Sequence, residues 1–291
     1  MRERLGLKRF FILSVCAVAF AYGVTLATLF VCQRRLLYFP DGFYVAPSRA
    51  YPNSRFQELS VETEDGLALK GWYVPATGQP FTLVFFHGNG DCLVSIAPVA
   101  ASYTKAGYGF LLAEYRGYSG LPGRPTEKGL YADGRAYLKA LIASGVEGKN
   151  VILLGYSLGS GVATQMATEF GVGGVILMAP FSSIPDVAKQ QFRIFPVKYF
   201  ALDRFDNTAK ISKIRAPLLI VNGGNDGVIP PSQGKQLFDL ANEPKQFGFF
   251  PAAGHNDLFC GDFETLSLAW LRELNIHANH AASPFALPAR G

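Results

Sequence analysis

Cysteine, histidine and unbalanced charge are all scarce in this 291-residue chain, and each scarcity narrows what the protein can be. Of four cysteines, Cys16 and Cys32 fall in an apolar run near the N-terminus, which leaves Cys92 and Cys260 in separate loops of the remainder. Two cysteines do not make a disulfide framework, and sequence alone does not say whether they meet. The net charge of +5 has a single origin. Residues 1–35 hold Arg2, Arg4, Lys8, Arg9, Arg34 and Arg35 against Glu3, while the rest of the chain carries 21 basic and 21 acidic groups. A basic balance confined to one flank gives no support to nucleic-acid binding. No internal repeat or low-complexity segment is present.

The same flank contains the longest apolar stretch. Phe10 to Cys32 runs 23 residues without a charge, about 35 Å as a helix, enough to cross a hydrocarbon layer of about 30 Å. A cleaved signal peptide is the rival reading, because basic residues precede the run. The run is long for that purpose, no small-x-small site closes it, and the bulky Val31 before Cys32 does not suit lipoprotein cleavage. The expectation is an uncleaved membrane anchor over residues 1–35, spanning at 10–32. Four basic residues before the span and two after it favour a cytoplasmic N-terminus, with the remainder on the non-cytoplasmic side. Tyr38, Phe39, Phe43 and Tyr44 in the connector that follows suit either a headgroup layer or the domain's own first strands.

From Leu36 to Asn275 the pattern alternates strand and helix. Gln57 to Thr63 and Leu67 to Val74 read as strands joined by Glu64-Asp65-Gly66, a hairpin turn. Thr82 to Phe86, Tyr108 to Glu114, Val151 to Leu154, Gly174 to Met178, Pro217 to Val221 and Gln246 to Phe250 read as further strands. Helices are expected at Leu93–Ala106, from Pro125-Thr126-Glu127 to about Ala143, at Leu158–Phe170 and at Phe263–Leu274. Unbroken Val, Ile and Leu runs are the mark of strands buried on both faces, so the expected architecture is a mostly parallel eight-stranded sheet with helices on both faces. Residues 36–275 form one domain in this reading. Residues 181–215, rich in Phe and basic residues, are too long for an ordinary connection and are expected to form a short helical cap. Residues 276–291, rich in Ala and aperiodic, are expected to be a flexible tail.

Chemistry concentrates where one strand turns into a helix. Gly155-Tyr156-Ser157-Leu158-Gly159 is a G-x-S-x-G between a buried strand and a helix rich in small residues. As a bare pattern it is weak; in that context it reads as a nucleophile elbow, which lifts the serine hydroxyl off the sheet edge and aims the positive end of a helix at the reacting centre. A serine needs a base. Of four histidines, His87 precedes a turn, and His277 and His280 lie in the tail with no carboxylate or cysteine nearby to complete a metal site. His255, in a loop just after a strand, is the remaining candidate.

Histidine in that role needs an acceptor. Asp186, Asp203, Asp206, Asp226 and Asp239 lie between Ser157 and His255, and only Asp226 directly follows a strand. Asp257 is its main competitor, favoured here as a capping or supporting acceptor. The Leu158 N–H is one expected oxyanion donor and the Asn89 N–H the other, with Gly90 as the fallback. Ser119, in Gly117-Tyr118-Ser119-Gly120, has the wrong spacing for a nucleophile and no helix directly after it. Neither a cofactor nor a metal is expected.

These pieces together resemble the α/β-hydrolase superfamily over nearly all of Leu36 to Asn275, and within it the branch of membrane-anchored hydrolases with one N-terminal span and a short cap. The resemblance is carried by Phe85-Phe86-His87-Gly88-Asn89-Gly90, Tyr115-Arg116-Gly117-Tyr118-Ser119-Gly120, the serine turn, Ala179-Pro180-Phe181-Ser182-Ser183, Asp203-Arg204-Phe205-Asp206-Asn207 and Gly254-His255-Asn256-Asp257. It implies an α/β-hydrolase fold and a Ser157-His255-Asp226 triad. Members act on esters, thioesters or peptides, including acyl chains on proteins. The chain departs from the cytosolic protein-deacylating members, which carry an N-terminal cysteine cluster in place of a span. The expected activity is hydrolysis of an acyl ester or thioester, lipid-like substrates included, by a membrane-tethered serine hydrolase. A serine peptidase of aminopeptidase type and a non-catalytic membrane scaffold are the alternatives, and an intact serine, histidine and acid argue against the scaffold.

Overall fold

The structure, a computed structural model, describes residues 2–40, 42–259 and 261–281. It opens with helix α1 (Arg2–Leu37), followed by the single turn α2 (Pro47–Ala50). Strands β1 (Gln57–Glu62) and β2 (Ala68–Val74) form the expected hairpin, its turn closed by Gly66 at φ +81°. Then come β3 (Thr82–Phe86), α3 (Leu93–Ile96), α4 (Ala100–Lys105), β4 (Gly109–Ala113) and α5 (Glu127–Ala143). The serine turn joins β5 (Val151–Tyr156) to α6 (Leu158–Glu169), and β6 (Gly174–Met178) leads into α7 (Ile184–Gln191) and α8 (Val197–Phe200). The chain closes with β7 (Leu218–Gly223), α9 (Pro231–Leu240), β8 (Lys245–Phe250) and α10 (Gly261–Ala281).

The eight strands make one sheet in the order β1-β2-β4-β3-β5-β6-β7-β8. The pairs β1–β2 and β2–β4 are antiparallel, and every other pair is parallel. One face packs on α5, α6 and α9 through Tyr137, Leu141, Val162, Met166 and Leu237. The other packs on α3, α4 and α10 through Leu93, Tyr103, Trp270 and Leu271. Covered on both sides, β3, β4, β5 and β6 are buried at every position, which is why they read as continuous apolar runs. Edge strand β8 keeps a single buried position, Gly248.

Two expected helices come out differently. The stretch from Leu93 to Ala106 is broken by a 3-10 turn at Ala97–Val99, because Pro98 lacks the N–H that a continuous α-helix needs. The last helix extends through Ala281, so the backbone of residues 276–281 is helical where a flexible tail was expected; residues 282–291 lie outside the described residues, as do Cys260 and the side chains of His277 and His280. Cys92 is free. The connector aromatics divide: Tyr38 is buried and Tyr44 bonds Glu58 at 2.8 Å, whereas Phe39 and Phe43 face outward.

Helix α1 runs 36 residues, about 54 Å. Charged residues flank its apolar segment without ending it. It is the one helix among the described residues long and apolar enough to cross a membrane by length and composition. Its C-terminal half packs on the cap. Arg34 Nε donates to Asp203 Oδ2 at 2.8 Å, and the Leu202 N–H donates to Gln33 Oε1 at 2.8 Å. Tyr22 stacks on Phe195 at 5.1 Å, and its hydroxyl donates to Ile194 O at 3.0 Å. Asp203 also accepts the Glu127 N–H, and Glu127 in turn accepts the Arg204 N–H, so α1, the cap and the start of α5 meet at one buried carboxylate.

Candidate active site

Ser157 sits at the turn between β5 and α6 with φ +50° and ψ −117°. A non-glycine residue held there is strained and persists only when its surroundings fix it. They do: the Ser157 N–H donates to Met178 O at 3.0 Å, and the two flanking glycines leave no room for side chains. A Cβ on Gly155 would stand 2.6 Å from Gly159 O, and one on Gly159 would collide with the Phe86 carbonyl. The serine thereby reaches the carboxyl edge of the sheet at the mouth of α6.

His255 arrives from the loop after β8. Its Nε2 lies 3.0 Å from Ser157 Oγ, and its Nδ1 lies 2.7 Å from Asp226 Oδ2. Asp226 follows β7, its carboxylate is fully buried, and its second oxygen accepts the Val228 and Ile229 N–H groups, both at 2.8 Å. A carboxylate can only accept, so Nδ1 donates to it and Nε2 is left to take a proton from Ser157. Asp257 is not in this chain of bonds. Its Oδ2 accepts the Gly254 N–H at 2.8 Å and so braces the loop that carries His255. Tyr156 braces the same loop: its hydroxyl lies 3.1 Å from His255 O and 3.0 Å from Asn256 Oδ1, and burial holds its phenol well above the ordinary range, so it remains protonated. The other acids lie elsewhere: Asp203 at the cap base, Asp206 capping Ala209, Asp186 with Ser182 and Ser183, and Asp239 paired with Lys235.

Leu158 opens α6, so its N–H has no acceptor within the helix. Asn89 lies in the turn after β3, held on three sides: its O accepts the Tyr118 hydroxyl at 3.0 Å and the Phe39 N–H at 3.3 Å, and its side-chain amide donates to Leu37 O at 2.9 Å. The fallback, Gly90, is exposed.

A model of the alpha/beta hydrolase family matches residues 83–204. The uncharacterized protein Rv2307c of Mycobacterium tuberculosis is 35% identical over 258 residues, covering 87% of this chain and 91% of the relative. Alpha/beta hydrolase domain-containing protein 17B of Homo sapiens is 35% identical over 183 residues, 61% of each chain. An esterase of Pyrococcus furiosus superposes with a TM-score of 0.65 at 17% identity, over 81% of this chain and 95% of the esterase. The chain belongs to the α/β-hydrolase family. An acetyl xylan esterase from a Paenibacillus species has the same fold, with a TM-score of 0.61 at 20% identity over 77% and 85% of the two chains.

What sequence reasoning missed in this α/β-hydrolase is the support beneath the Asn89 turn. His87 is completely buried. Its Nε2 lies 2.7 Å from Glu114 Oε1 and its Nδ1 lies 2.7 Å from Gly88 O. Glu114 also accepts the Ser119 hydroxyl at 2.6 Å and the N–H groups of Tyr115 and Leu93. Glu114 is thus an acceptor for several donors, and both ring nitrogens of His87 face oxygen atoms. Burial alone would lower the His87 pKa, but Glu114 and the Gly88 carbonyl outweigh it and the net displacement is upward. Ser119, unsuited as a nucleophile, is a buried donor in this network.

A cavity of about 410 Å³ lies between the end of α1 and the cap. Asn89 and Val228 are in its wall; Ser157 and His255 are not. Among the described residues no cluster of His, Cys, Asp and Glu could hold a metal.

Proposed function

We propose that this protein is a membrane-tethered serine hydrolase that cleaves an acyl ester or thioester. The observation that carries the reading is the unbroken chain from Ser157 Oγ through His255 to Asp226, 3.0 and 2.7 Å long, at a strained turn on the sheet's carboxyl edge. Ser157 Oγ attacks the acyl carbon as its proton passes to His255 Nε2, and Asp226 stabilises the resulting imidazolium through Nδ1–H. The carbonyl oxygen, now negative, is met by the Leu158 and Asn89 N–H groups, each worth roughly 3 kcal/mol in comparable sites. Collapse of the tetrahedral intermediate expels the alcohol or thiol, which takes the proton from His255 and leaves an acyl-serine. Water, deprotonated by the same histidine, attacks that ester, releases the carboxylic acid and restores Ser157.

Tethering is supported by α1 itself. Cleavage at the end of the apolar run would remove Tyr22, which bonds Ile194 O and stacks on Phe195 of the folded domain. Basic residues at Arg2, Arg4, Lys8 and Arg9 favour a cytoplasmic N-terminus, with the catalytic domain on the other side. Labelling full-length protein with a fluorophosphonate, beside Ser157→Ala, tests the enzyme reading; the label should need Ser157. A set of p-nitrophenyl esters beside aminoacyl anilides then separates esterase from peptidase, and preferential cleavage of the anilides would overturn the ester assignment.

A further inference from the structure

Tyr22, Leu26, Leu29, Phe30, Gln33 and Leu37 form a stripe at three- and four-residue steps on the side of α1 toward the domain, with Arg34 at its edge. Tyr22 bonds and stacks on the cap tip, Gln33 bonds the cap base, and Leu37 O holds the Asn89 side-chain amide. Between these fastenings a cavity separates part of the helix from the cap. Leu26, Leu29 and Phe30 stand across the cavity from Val187, Ala188 and Val197. The other faces of the helix, with Val18, Phe20 and Val31, are exposed apolar surface.

Three properties of this cavity identify its occupant. Its volume falls within the roughly 300–1,000 Å³ of small-molecule sites. Fourteen of its nineteen lining residues are aliphatic or aromatic, which suits a hydrocarbon; Gln33, Arg34, Asn89, Gln191 and Asp203 are the others. Its wall includes Asn89, the expected oxyanion residue, and Val228, whose N–H is bonded to Asp226. Its wall also includes Leu26, Leu29 and Phe30, which fall inside the apolar span of α1. Phe30 meets Phe200 edge to face at 6.4 Å, and Phe200, Leu202 and Ile194 are exposed apolar residues on the cap.

We infer that this cavity is the acyl-chain subsite, that the membrane helix is one of its walls, and that the chain enters sideways from the bilayer between α1 and the cap. The inference rests on the hydrolase reading of Ser157. The helix is then more than a tether. Its stripe sets how long an acyl chain the enzyme accepts, and a bilayer-resident ester needs to leave the lipid only at its carbonyl end to reach Ser157.

The test uses full-length protein in phosphatidylcholine vesicles and a long-chain alkyl fluorophosphonate carrying a photoreactive diazirine at the far end of its chain. After labelling, irradiation and digestion, the phosphonate is expected on Ser157 and the photo-crosslink within residues 26–37 or 184–203. Phosphonylated Ser157 with crosslinks confined to other segments overturns the subsite and leaves the hydrolase reading standing. Absence of the phosphonate from Ser157 removes the hydrolase reading and the subsite with it. Kinetics supply a second measure: Leu29→Trp from the helix side and Ala188→Trp from the cap side should each lower the ratio of decanoate to acetate kcat/KM by ~10-fold or more. An unchanged ratio in both variants would count against the subsite.

Discussion

Among the described residues, two histidine–carboxylate pairs lie at the same edge of one sheet, each 2.7 Å long, and they serve opposite ends. In both, the carboxylate is fully buried and accepts further donors. The difference lies at the second ring nitrogen. For His87 it meets the Gly88 carbonyl, which can only accept and has no proton to give, so the pair is closed. For His255 it meets the Ser157 hydroxyl, which has a proton to give, and the ring is partly open to solvent. A histidine–carboxylate pair is therefore not in itself a sign of catalysis; the group facing the free nitrogen decides whether it can act as a base.

The comparison breaks most visibly in turnover. Ser157→Ala and His255→Ala should each lower kcat on a soluble ester on the order of 10⁶-fold, with the double variant little worse, because the two act as a unit. Asp226→Asn should cost on the order of 10⁴-fold, since the amide holds the wrong tautomer. Asp257→Asn should cost far less. A crippled Asp257→Asn beside a healthy Asp226→Asn would reassign the acid.

The closed pair breaks in stability instead. His87→Gln leaves the Glu114 carboxylate buried without its cation, and removal of one partner from a buried pair costs about 3–5 kcal/mol. Urea unfolding should read that loss, and Asp226→Asn should lose less stability than His87→Gln while losing more turnover. Equal stability losses would erase the distinction drawn between the two sites.

Much of this was legible in the residues, for physical reasons that also mark where legibility stops. Strands β3 to β6 are buried on both faces, so their apolar runs announce them, whereas Pro98 breaks a helix whose composition alone looked continuous. Ser157, His255 and Asp226 could be singled out because each directly follows a strand or its loop and few histidines compete. Glu114 also follows a strand directly, yet nothing near it in sequence names His87 as its partner. The two meet because β3 and β4 are parallel neighbours in register, with Phe86 opposite Ala113. Likewise the hydrogen-bonding stripe on α1 is invisible until the cap is folded against it. Composition reports the length and apolarity of that helix but not which of its faces is taken.

The smallest expected effect sharpens the comparison furthest, because it asks whether His87 carries its second proton. The folded pKa of His87 lies above its ordinary value of 6.5, the pull of Glu114 and the Gly88 carbonyl exceeding the opposing effect of burial. Below about 6.5 the folded and unfolded states both hold the proton, and the stabilisation from the charged pair is fully present. As pH rises above 6.5 the unfolded chain sheds the proton while the folded chain keeps it, so folding takes up a proton and stability falls, until the folded group also titrates. His87→Gln has no such proton to lose. The gap in unfolding free energy between the parent protein and His87→Gln should therefore be widest in mildly acidic buffer and narrow as pH is raised through the folded value. Urea titrations of the two proteins across that window measure it directly. A gap that widens with pH would mean that burial prevails, that His87 is neutral in the fold, and that the proton between it and Glu114 belongs to the carboxyl group.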